Sequence, residues 1–314
     1  MECLSIINQK GGVGKTATTV NLGAAVAQRG WRTLLLDLDP QAHLTTHLGL
    51  DGEAVGAGIY EVLTKGLDLS GAIHSVAPNL AAVPAQIELA SAEVELVSVV
   101  GREVLLRDQL FGGSLPFDIV LIDCPPSLGI LTLNALSAAT RVLIPVQPHF
   151  LALQGVGQLL KTTSLVSRRI NPGLTVMGMI ICMHESGTRL SGEVIADLEG
   201  YLASTRDSPV PWREARIMQT RVRRNIKLAE CPSYGQTIFD YAPRSNGAQD
   251  YMALADELLA MLVEPATSDL PSVAGGASAR VEAVQPVDRT LSSRPRAAPL
   301  PNDSPGGDAS SVVM

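Results

Sequence analysis

The sequence is poor in aromatic residues and in cysteine, and each shortage narrows the class of protein. Phe, Trp and Tyr make up 4% of the 314 residues, whereas hydrophobic residues as a whole make up 46%. The core that this chain can bury is therefore mainly aliphatic, which is typical of helices packed on a parallel sheet. The four cysteines form no Cys-x-x-Cys pair, so neither a disulfide framework nor a zinc site is predicted and we expect reduced thiols.

Long apolar runs and an excess of basic charge are also missing. No apolar stretch reaches the roughly 18 residues that a membrane-spanning helix needs, and no charged leader precedes an apolar segment at the N-terminus. The formal net charge is −7, which argues against a uniformly basic surface but leaves room for a local basic patch. These absences predict a soluble, cytoplasmic protein.

The last 50 residues have a composition unlike that of the rest. Residues 265–314 contain seven prolines, eight serines and no aromatic residue. Such a segment cannot bury enough apolar area to offset the entropy lost on ordering. We predict a folded domain over residues 1–264 and a disordered tail over residues 265–314. The tail also lacks the pattern of an amphipathic helix that lies on a membrane, so no stable membrane contact is expected.

Short aliphatic runs alternate with amphipathic stretches through the folded part. Near-continuous apolar runs of this length are typical of parallel strands covered on both faces. We predict an α/β fold, a three-layer, doubly wound, mostly parallel sheet with helices on both faces. The predicted strands are Leu4–Asn8, Thr33–Asp37, Leu80–Val83, Ile119–Asp123, Val142–Val146 and Val176–Cys182. The predicted helices are Lys15–Arg29, Ala90–Leu110, Leu151–Ile170, Ser191–Ser204 and Gln249–Leu262.

A glycine-rich turn, NQKGGVGKTA, joins the first predicted strand to the first predicted helix. Glycines let backbone N–H groups approach phosphates, and the helix N-terminus adds its positive end, so the turn predicts a P-loop NTPase fold. Lys15 would reach the β- and γ-phosphates and the Thr16 hydroxyl would bind Mg²⁺. The ordinary spelling is broken, because Gln9 stands where the first glycine of the loop belongs. A second lysine, Lys10, stands beside it.

Two other predicted strands end in carboxylates. Asp123 follows the apolar run of FDIVLIDCPP, and Asp37 and Asp39 lie two residues apart in LLLDLDPQ. In an extended segment this spacing places both side chains on one face. One carboxylate can then serve a metal while the other orients or deprotonates water. Together with the glycine-rich turn, these acids predict a site for the phosphates of a nucleotide and for Mg²⁺.

The stretches KGGVGKT, DLDPQ and FDIVLIDCPPSLGILTLNAL together resemble the deviant-Walker ATPases of the ParA/MinD family, and the ParA/Soj branch in particular, over about residues 1–262. The resemblance implies hydrolysis of ATP to ADP and phosphate by an ATP-dependent homodimer. It implies that Lys10 reaches the phosphates bound by the partner subunit, that Lys15 and Asp39 act in catalysis with Asp39 activating water, and that Thr16, Asp37 and Asp123 surround the metal. The implied ATP-binding residues are Gly11, Gly12, Val13, Gly14, Lys15, Thr16, Ala17, Pro232, Ser233 and Tyr234.

The sequence departs from the family pattern at two places. Relatives commonly carry Thr at the position of Ala17, so a hydroxyl contact to the α-phosphate is missing here. The family's DPQGNAT reads DPQAHLT, with Ala42 and His43 in place of Gly and Asn. The effect of both departures on the site is left open by the sequence.

Residues 213–227, REARIMQTRVRRNIK, hold six basic residues and one acid. The resemblance implies DNA binding here, through phosphates and without sequence preference. The implied DNA-binding residues are Arg221, Arg223, Arg224 and Lys227.

The predicted function is that of a partitioning or positioning ATPase. Its ATP-bound dimer holds nucleoid DNA, and a ParB-like adaptor releases it by stimulating hydrolysis. A MinD-like membrane-surface ATPase and a ParA-like ATPase that positions a non-DNA cargo are the alternatives. The cargo, the adaptor and the role of the tail stay open.

Overall fold

The computed structural model describes residues 1–50, 56–149, 152–185 and 189–263, so the predicted tail lies outside the described residues. Within these ranges eight strands form one sheet in the order β3-β4-β2-β5-β1-β6-β7-β8. Every neighbouring pair is parallel except β3 with β4. The predicted α/β fold with a mostly parallel sheet is confirmed. The strands are β1 Glu2–Ile6, β2 Thr33–Asp37, β3 His74–Ala77, β4 Leu80–Val83, β5 Ile119–Asp123, β6 Arg141–Val146, β7 Thr175–Ile181 and β8 Arg216–Ile217.

Alternate strand residues feed two separate apolar cores, one on each face of the sheet. In β2, Leu34 and Leu36 belong to one core and Leu35 to the other, and all three are fully buried. This alternation follows from the period of two residues in a strand. Helices cover both faces: α1 Lys15–Gln28, α2 His43–His47, α3 Ile59–Lys65, α4 Leu89–Glu95, α5 Leu105–Phe111, α6 Ile130–Ala138, α7 Ala152–Arg169, α8 Arg189–Ser204, α9 Ile226–Glu230, α10 Ile238–Tyr241 and α11 Asn246–Val263.

The helices divide cleanly between the two faces. Helices α1, α2, α10 and α11 contribute buried residues to one core, and α3 to α8 contribute to the other. Short 3₁₀ turns complete the fold at Leu69–Ala72, Leu96–Ser98 and Cys231–Tyr234. Among the described residues, no helix is both long enough and apolar enough to cross a bilayer.

The predicted helix over Ala90–Leu110 is wrong. The chain instead forms α4, a 3₁₀ turn and, after an irregular segment, α5. Val99 is extended and Gly101 has a φ of 75°, a left-handed value that ends helical propagation. The amide of Leu106, in the first turn of α5, then donates to the side chain of Asn134 at 3.1 Å. Asn134 of α6 thus stabilises the first turn of α5, and the local periodicity of the sequence cannot reveal this contact.

The strand order brings the predicted site residues together. β5 lies between β1 and β2, so Asp123 at its end is in register with Ile6 on one side and with Asp37 on the other. The chain leaves β1 at the same edge, where it enters the glycine-rich turn. The carboxyl ends of parallel strands at such a crossover form the usual ligand crevice of open α/β sheets.

Candidate nucleotide site

The glycine-rich turn has the backbone that its sequence predicts. Gly12 and Gly14 have φ values of 74° and 95°, which residues with a Cβ rarely adopt. Gly14 is the N-cap of α1, and no side chain caps it. Because the first N–H groups of a helix have no intrahelical partners, this end of α1 is suited to bind phosphate oxygens.

The two lysines of the turn have opposite surroundings. Lys15 is 7% exposed, and its Nζ donates to the carbonyl of Lys10 at 3.3 Å. Burial lowers the pKa of Lys15, and the neighbouring carboxylates of Asp123 and Asp39 oppose this shift. Lys10 has an exposed side chain, and its Nζ contacts Nε2 of His149. One ammonium thus faces the acids inside the site while the other lies at its surface.

Two buried carboxylates lie at the centre of the site. Asp123 accepts hydrogen bonds from the hydroxyl of Thr16 at 2.6 Å and of Thr19 at 3.3 Å. Asp37 accepts from the amide and the hydroxyl of Thr45, at 2.9 and 2.8 Å. Burial raises the pKa of Asp123 to about 8, with the charge of Asp37 adding to the shift. Burial likewise raises the pKa of Asp37 to about 6.

This donor set fits magnesium. Mg²⁺ prefers hard oxygen ligands, and a threonine hydroxyl beside a strand-end carboxylate is the arrangement that P-loop proteins use. Two carboxylates buried side by side also need a cation to offset their desolvation and mutual repulsion. Thr16 and Asp123 would therefore hold the metal, with Asp37 beside them.

Asp39 begins a strained turn. It is 7% exposed, its Oδ1 accepts from the amide of Gln41 at 3.0 Å, and its carbonyl accepts from the amide of Ala42 at 2.8 Å. Ala42, the N-cap of α2, has a φ of 52°. This is the left-handed region, which costs a residue with a Cβ about 1 kcal/mol and glycine almost nothing. The replacement of the family's Gly by Ala42 thus leaves strain three residues after Asp39.

The predicted ATP-binding segment at residues 232–234 packs beside α1 and α2. Pro232, Ser233 and Tyr234 lie in the 3₁₀ turn, and the exposed ring of Tyr234 stacks on Tyr241 with centroids 4.9 Å apart. Asn21 of α1 accepts from the amide of Ile238 and donates to the carbonyl of Ala17, both at 2.8 Å. This side chain therefore ties α10, which follows the segment, to the helix that begins at the phosphate loop.

His47 links the same segment to α2 and makes the fold sensitive to acid. It is buried, and its Nε2 lies 3.4 Å from Sγ of Cys231. Burial lowers the pKa of His47 from 6.5 to about 4, and a hydrogen bond with the backbone of Gln236 opposes part of the shift. The folded state therefore binds this proton less readily than the unfolded chain, and stability is lost as the pH falls from about 6.5 to 4.

We expect His47→Gln to reduce the acid sensitivity of the protein. Between pH 7 and pH 4, the unfolding free energy of the wild type should fall by about 2–3 kcal/mol more than that of the variant, at about 1.4 kcal/mol per pH unit. Urea denaturation at both pH values measures the difference. Equal decreases in the two proteins would show that the buried imidazole is not the responsible group.

The predicted DNA-binding residues lie in one surface segment but differ in their partners. Arg224 pairs with Glu185 and Lys227 with Glu230, both at 2.8 Å, while a guanidinium nitrogen of Arg221 lies 3.5 Å from His184. Arg223 differs from them, since its guanidinium holds both oxygens of Asp250, and Asp250 is nearly buried. Arg223 therefore neutralises a buried acid of α11, a structural role that the charge pattern does not reveal.

Several residues that shape the site are not among the predicted site residues. Thr45 holds Asp37, Asn21 spans two segments, and Asn8 anchors the turn by donating to the carbonyl of Pro145 at 2.7 Å. Asn8 Oδ1 also accepts from the amide of Lys10 at 3.0 Å. Asn8, beside the glycines, and Thr45, in the DPQAHLT stretch, could have been suspected from their positions.

The strand order, the left-handed glycines and the buried lysine close to Asp123 and Asp39 define the class: this is a P-loop nucleotide-binding protein. Comparisons with known proteins narrow the class to a family. The family model described as an AAA domain matches residues 1–176. The chain is 43% identical to the sporulation initiation inhibitor protein Soj of Bacillus subtilis over 258 residues, which is 82% of this chain and 98% of that protein. It is 40% identical to the chromosome partitioning protein ParA of Myxococcus xanthus over 257 residues, covering 82% and 87%. The chain belongs to the ParA/Soj branch of the ParA/MinD family of ATPases.

Solved structures agree with this assignment of fold and cofactors. A Mycobacterium smegmatis protein named cobyrinic acid a,c-diamide synthase, with bound ADP and magnesium, is 37% identical with a TM-score of 0.69, covering 82% of this chain and 94% of that one. A Cyanothece McdA complex with ATP has a TM-score of 0.70 at 23% identity, covering 82% and 96%, and supports the fold alone. The ADP and magnesium bound in the Mycobacterium smegmatis structure confirm the predicted cofactors, ATP and Mg²⁺.

Proposed function

We propose that the chain is an ATP-dependent partitioning or positioning ATPase whose ATP-bound homodimer binds DNA without sequence preference. The observation that carries this proposal is the opposite placement of Lys15, buried against the acids, and Lys10, exposed at the surface of the same turn. A P-loop that serves only its own subunit needs Lys15 but not Lys10. We propose that Lys10 serves a neighbouring subunit.

ATP would control assembly through Lys10. Without nucleotide, two such turns brought face to face would oppose cation to cation. The γ-phosphate supplies the negative charge that Lys10 of each subunit can meet in the other, so the dimer is favoured only in the ATP state. Hydrolysis and release of phosphate remove that charge and separate the subunits.

Hydrolysis would use the acids and lysines in separate roles. Asp39 orients or deprotonates the attacking water, which adds to the γ-phosphate as ADP leaves. Lys15 and the partner's Lys10 stabilise the negative charge that spreads over the transferred group. The buried cluster of Thr16, Asp37 and Asp123 would hold the metal at the phosphates.

DNA binding would use Arg221 and Arg224, which lie before α9, and Lys227 in the first turn of α9. Arg221, Arg224 and Lys227 can contact phosphates after exchanging their present surface partners, and such contacts weaken with salt. Dimerisation places two of these surfaces on one particle, so weak contacts add to a useful avidity. The ATP state would then be held on the nucleoid, and an adaptor of the ParB type would release it by stimulating hydrolysis.

We expect Arg224→Ala combined with Lys227→Ala to weaken DNA binding about 10- to 100-fold at low salt, because two phosphate contacts are removed from each subunit. The slope of log affinity against log salt should also become shallower. Anisotropy with labelled duplex DNA measures both in the presence of a slowly hydrolysed ATP analogue. The matched control is Arg29→Ala with Lys65→Ala, which also removes one arginine and one lysine from surface ion pairs.

The whole proposal is tested on the wild-type protein with Mg²⁺ and the same analogue. Sedimentation should show a dimer that is absent with ADP, and the dimer should bind DNA of unrelated sequences with similar affinity. A monomer under these conditions, or a dimer that ignores DNA at low salt, would contradict it. Binding to anionic vesicles in place of DNA would favour the MinD-like alternative, and an ATP-dependent dimer recruited to a protein cluster would favour the non-DNA cargo.

The name of the Mycobacterium smegmatis structure raises a second candidate, the ATP-dependent amidation of a corrinoid carboxylate. Glutamine-dependent amidation commonly uses a reactive cysteine, and all four cysteines of this chain are buried. Burial raises the pKa of each of these thiols, which makes none of them a good nucleophile. Cobyrinic acid with glutamine should therefore leave the ATPase rate unchanged.

A further inference from the structure

Helix α2 connects two parts of the candidate site that lie far apart in the sequence. Its N-terminal end follows the turn that begins at Asp39, and its C-terminal end packs against the 3₁₀ turn that holds the predicted ATP-binding residues 232–234. The helix has five residues, about one and a half turns, and the amide of Thr46 donates to the carbonyl of Ala42 at 3.0 Å. Its two ends therefore move as one unit.

Two glycines bring the backbone after α2 against the 3₁₀ turn. Gly49 follows α2 and Gly235 is the C-cap of the turn, and their φ values are 68° and 63°. A Cβ on Gly235 would lie 2.7 Å from the Cα of Gly49, and a Cβ on Gly49 would lie 3.1 Å from the carbonyl oxygen of Gly235. This contact resists a closer approach of the two backbones, but dispersion between so few atoms does little to stop their separation.

His47 supplies the contact that holds the two segments together. Its Nε2 lies 3.4 Å from Sγ of the buried Cys231, and its ring also hydrogen-bonds with the backbone of Gln236. Burial lowers the pKa of the imidazole to about 4, so near pH 7 the neutral ring has one donor and one acceptor for these partners. Cys231 and Gln236 flank residues 232–234. We call the contacts of His47 and of the two glycines the α2 latch.

The turn before α2 depends on such tertiary contacts for its order. An isolated helix of five residues is not stable in water, and the left-handed backbone of Ala42 adds strain at its start. Within α2, the amide and hydroxyl of Thr45 donate to Asp37, which ties the middle of the helix to the sheet. The α2 latch adds a second attachment, at the end of the helix opposite Asp39.

We infer that His47 is a positioning residue that couples the base of the bound nucleotide to the turn carrying Asp39. The inference rests on the proposed function, because it needs a nucleotide bound at residues 232–234 and hydrolysed with the help of Asp39. The base orders the 3₁₀ turn, His47 passes that order to α2, and α2 fixes the turn at its other end. Phosphates without a base reach the glycine-rich turn but lack this route to Asp39.

Hydrogen exchange of the full chain tests the coupling without any hydrolysis. The exchange of the segment 40–50 is followed with Mg²⁺ and either ADP or pyrophosphate, each at a concentration that displaces a fluorescent ADP analogue. In the wild type, ADP should slow the exchange of α2 about tenfold and pyrophosphate should leave it unchanged. His47→Ala should bind ADP with about the wild-type affinity and lose this protection. His47→Gln, whose amide keeps one donor and one acceptor, should restore part of it.

The same coupling should appear in the ATPase rate as a lower kcat with little change in KM. For His47→Ala we expect kcat to fall about tenfold, because the lost contact acts on the geometry of the attack rather than on binding. Cys231→Ala, a milder change that removes one partner of the ring, should lower both readouts in the same direction. The matched control is Asn171→Ala, which removes hydrogen bonds to the carbonyls of Leu136 and Ala139 at the opposite edge of the sheet and should change neither readout.

Equal protection of α2 by ADP and pyrophosphate would overturn the inference. So would full protection by ADP in a folded His47→Ala or Cys231→Ala protein. A wild type that hydrolyses ATP while ADP leaves α2 unprotected would remove the coupling and keep the proposed function. A wild type whose α2 is protected by ADP alone, but which hydrolyses no ATP, would support the coupling and contradict the proposed function.

Discussion

Lys15→Ala is expected to abolish measurable ATP binding, weakening it at least 100-fold. The ammonium of Lys15 is held inside the site, next to the carbonyl of Lys10 and the carboxylates of Asp123 and Asp39. Its removal leaves the phosphates facing those acids without the cation that separates the charges. A 100-fold weakening corresponds to about 2.7 kcal/mol, which is within the range for removing one charge-assisted hydrogen bond from a buried site. Titration with a fluorescent ATP analogue measures it.

The control for this prediction is Lys65→Ala, which removes an exposed lysine of α3 that pairs with Glu61 and lies over the ring of Tyr60 at the surface. This variant should bind nucleotide as the wild type does. Thermal unfolding of Lys15→Ala without nucleotide must show a cooperative transition, so that a failure to bind is not a failure to fold. A folded Lys15→Ala protein that binds ATP within threefold of the wild type would mean that the glycine-rich turn does not hold the phosphates.

The position of Lys15 follows from the sequence, and so do the acids that face it. Apolar runs that end in Asp37 and Asp123 predict carboxylates at strand ends, and both strands occur at the predicted residues. The sequence does not reveal that β5 enters between β1 and β2. That insertion sets Asp37 and Asp123 in register although 86 positions separate them in the chain. Strand order depends on long-range packing, which local patterns do not encode.

A polar face on a helix makes the bounds of that helix easier to predict from the sequence. Helix α7 has a clear apolar stripe and begins and ends within one residue of its predicted bounds. Helix α6 is not predicted, because seven of its nine residues are buried and no polar face sets a period. The break between α4 and α5 escapes prediction for another reason, since it depends on Gly101 and on the side chain of Asn134.

The basic segment, residues 213–227, shows the same limit of prediction from sequence. A run of arginines predicts a charged surface, but it cannot show which of them already has a buried partner. Arg223 is held by Asp250 of α11, whereas Arg224 and Lys227 pair with exposed or half-exposed acids. Ion pairs at the surface exchange readily with phosphates, and a pair with a buried carboxylate does not. The DNA contacts should therefore come from the residues around Arg223 more than from Arg223 itself.

Lys10→Ala is expected to leave ATP binding to the monomer nearly unchanged and to remove the ATP-dependent dimer. The side chain of Lys10 is exposed, and the Lys15 ammonium donates to the backbone carbonyl of Lys10, which alanine keeps. If Lys10 meets the phosphates of the partner, the substitution removes two charge-assisted hydrogen bonds from the dimer. At about 1.5–3 kcal/mol for each of them, the dissociation constant of the dimer should rise at least 100-fold. Sedimentation with Mg²⁺ and a slowly hydrolysed analogue measures this constant, and the fluorescent analogue measures binding to the monomer.

His149→Ala separates a contact in trans from a local one. Lys10 contacts His149 of its own chain, so a dimer defect in Lys10→Ala could in principle come from a disturbed surface beside β6. If that were the cause, His149→Ala would fail to dimerise as well. If Lys10 acts on the partner subunit, His149→Ala frees its ammonium and keeps the dimer at wild-type strength or above. Dimers of normal strength in Lys10→Ala would rule out the contact in trans, and the second lysine of the turn would then be an ordinary surface charge.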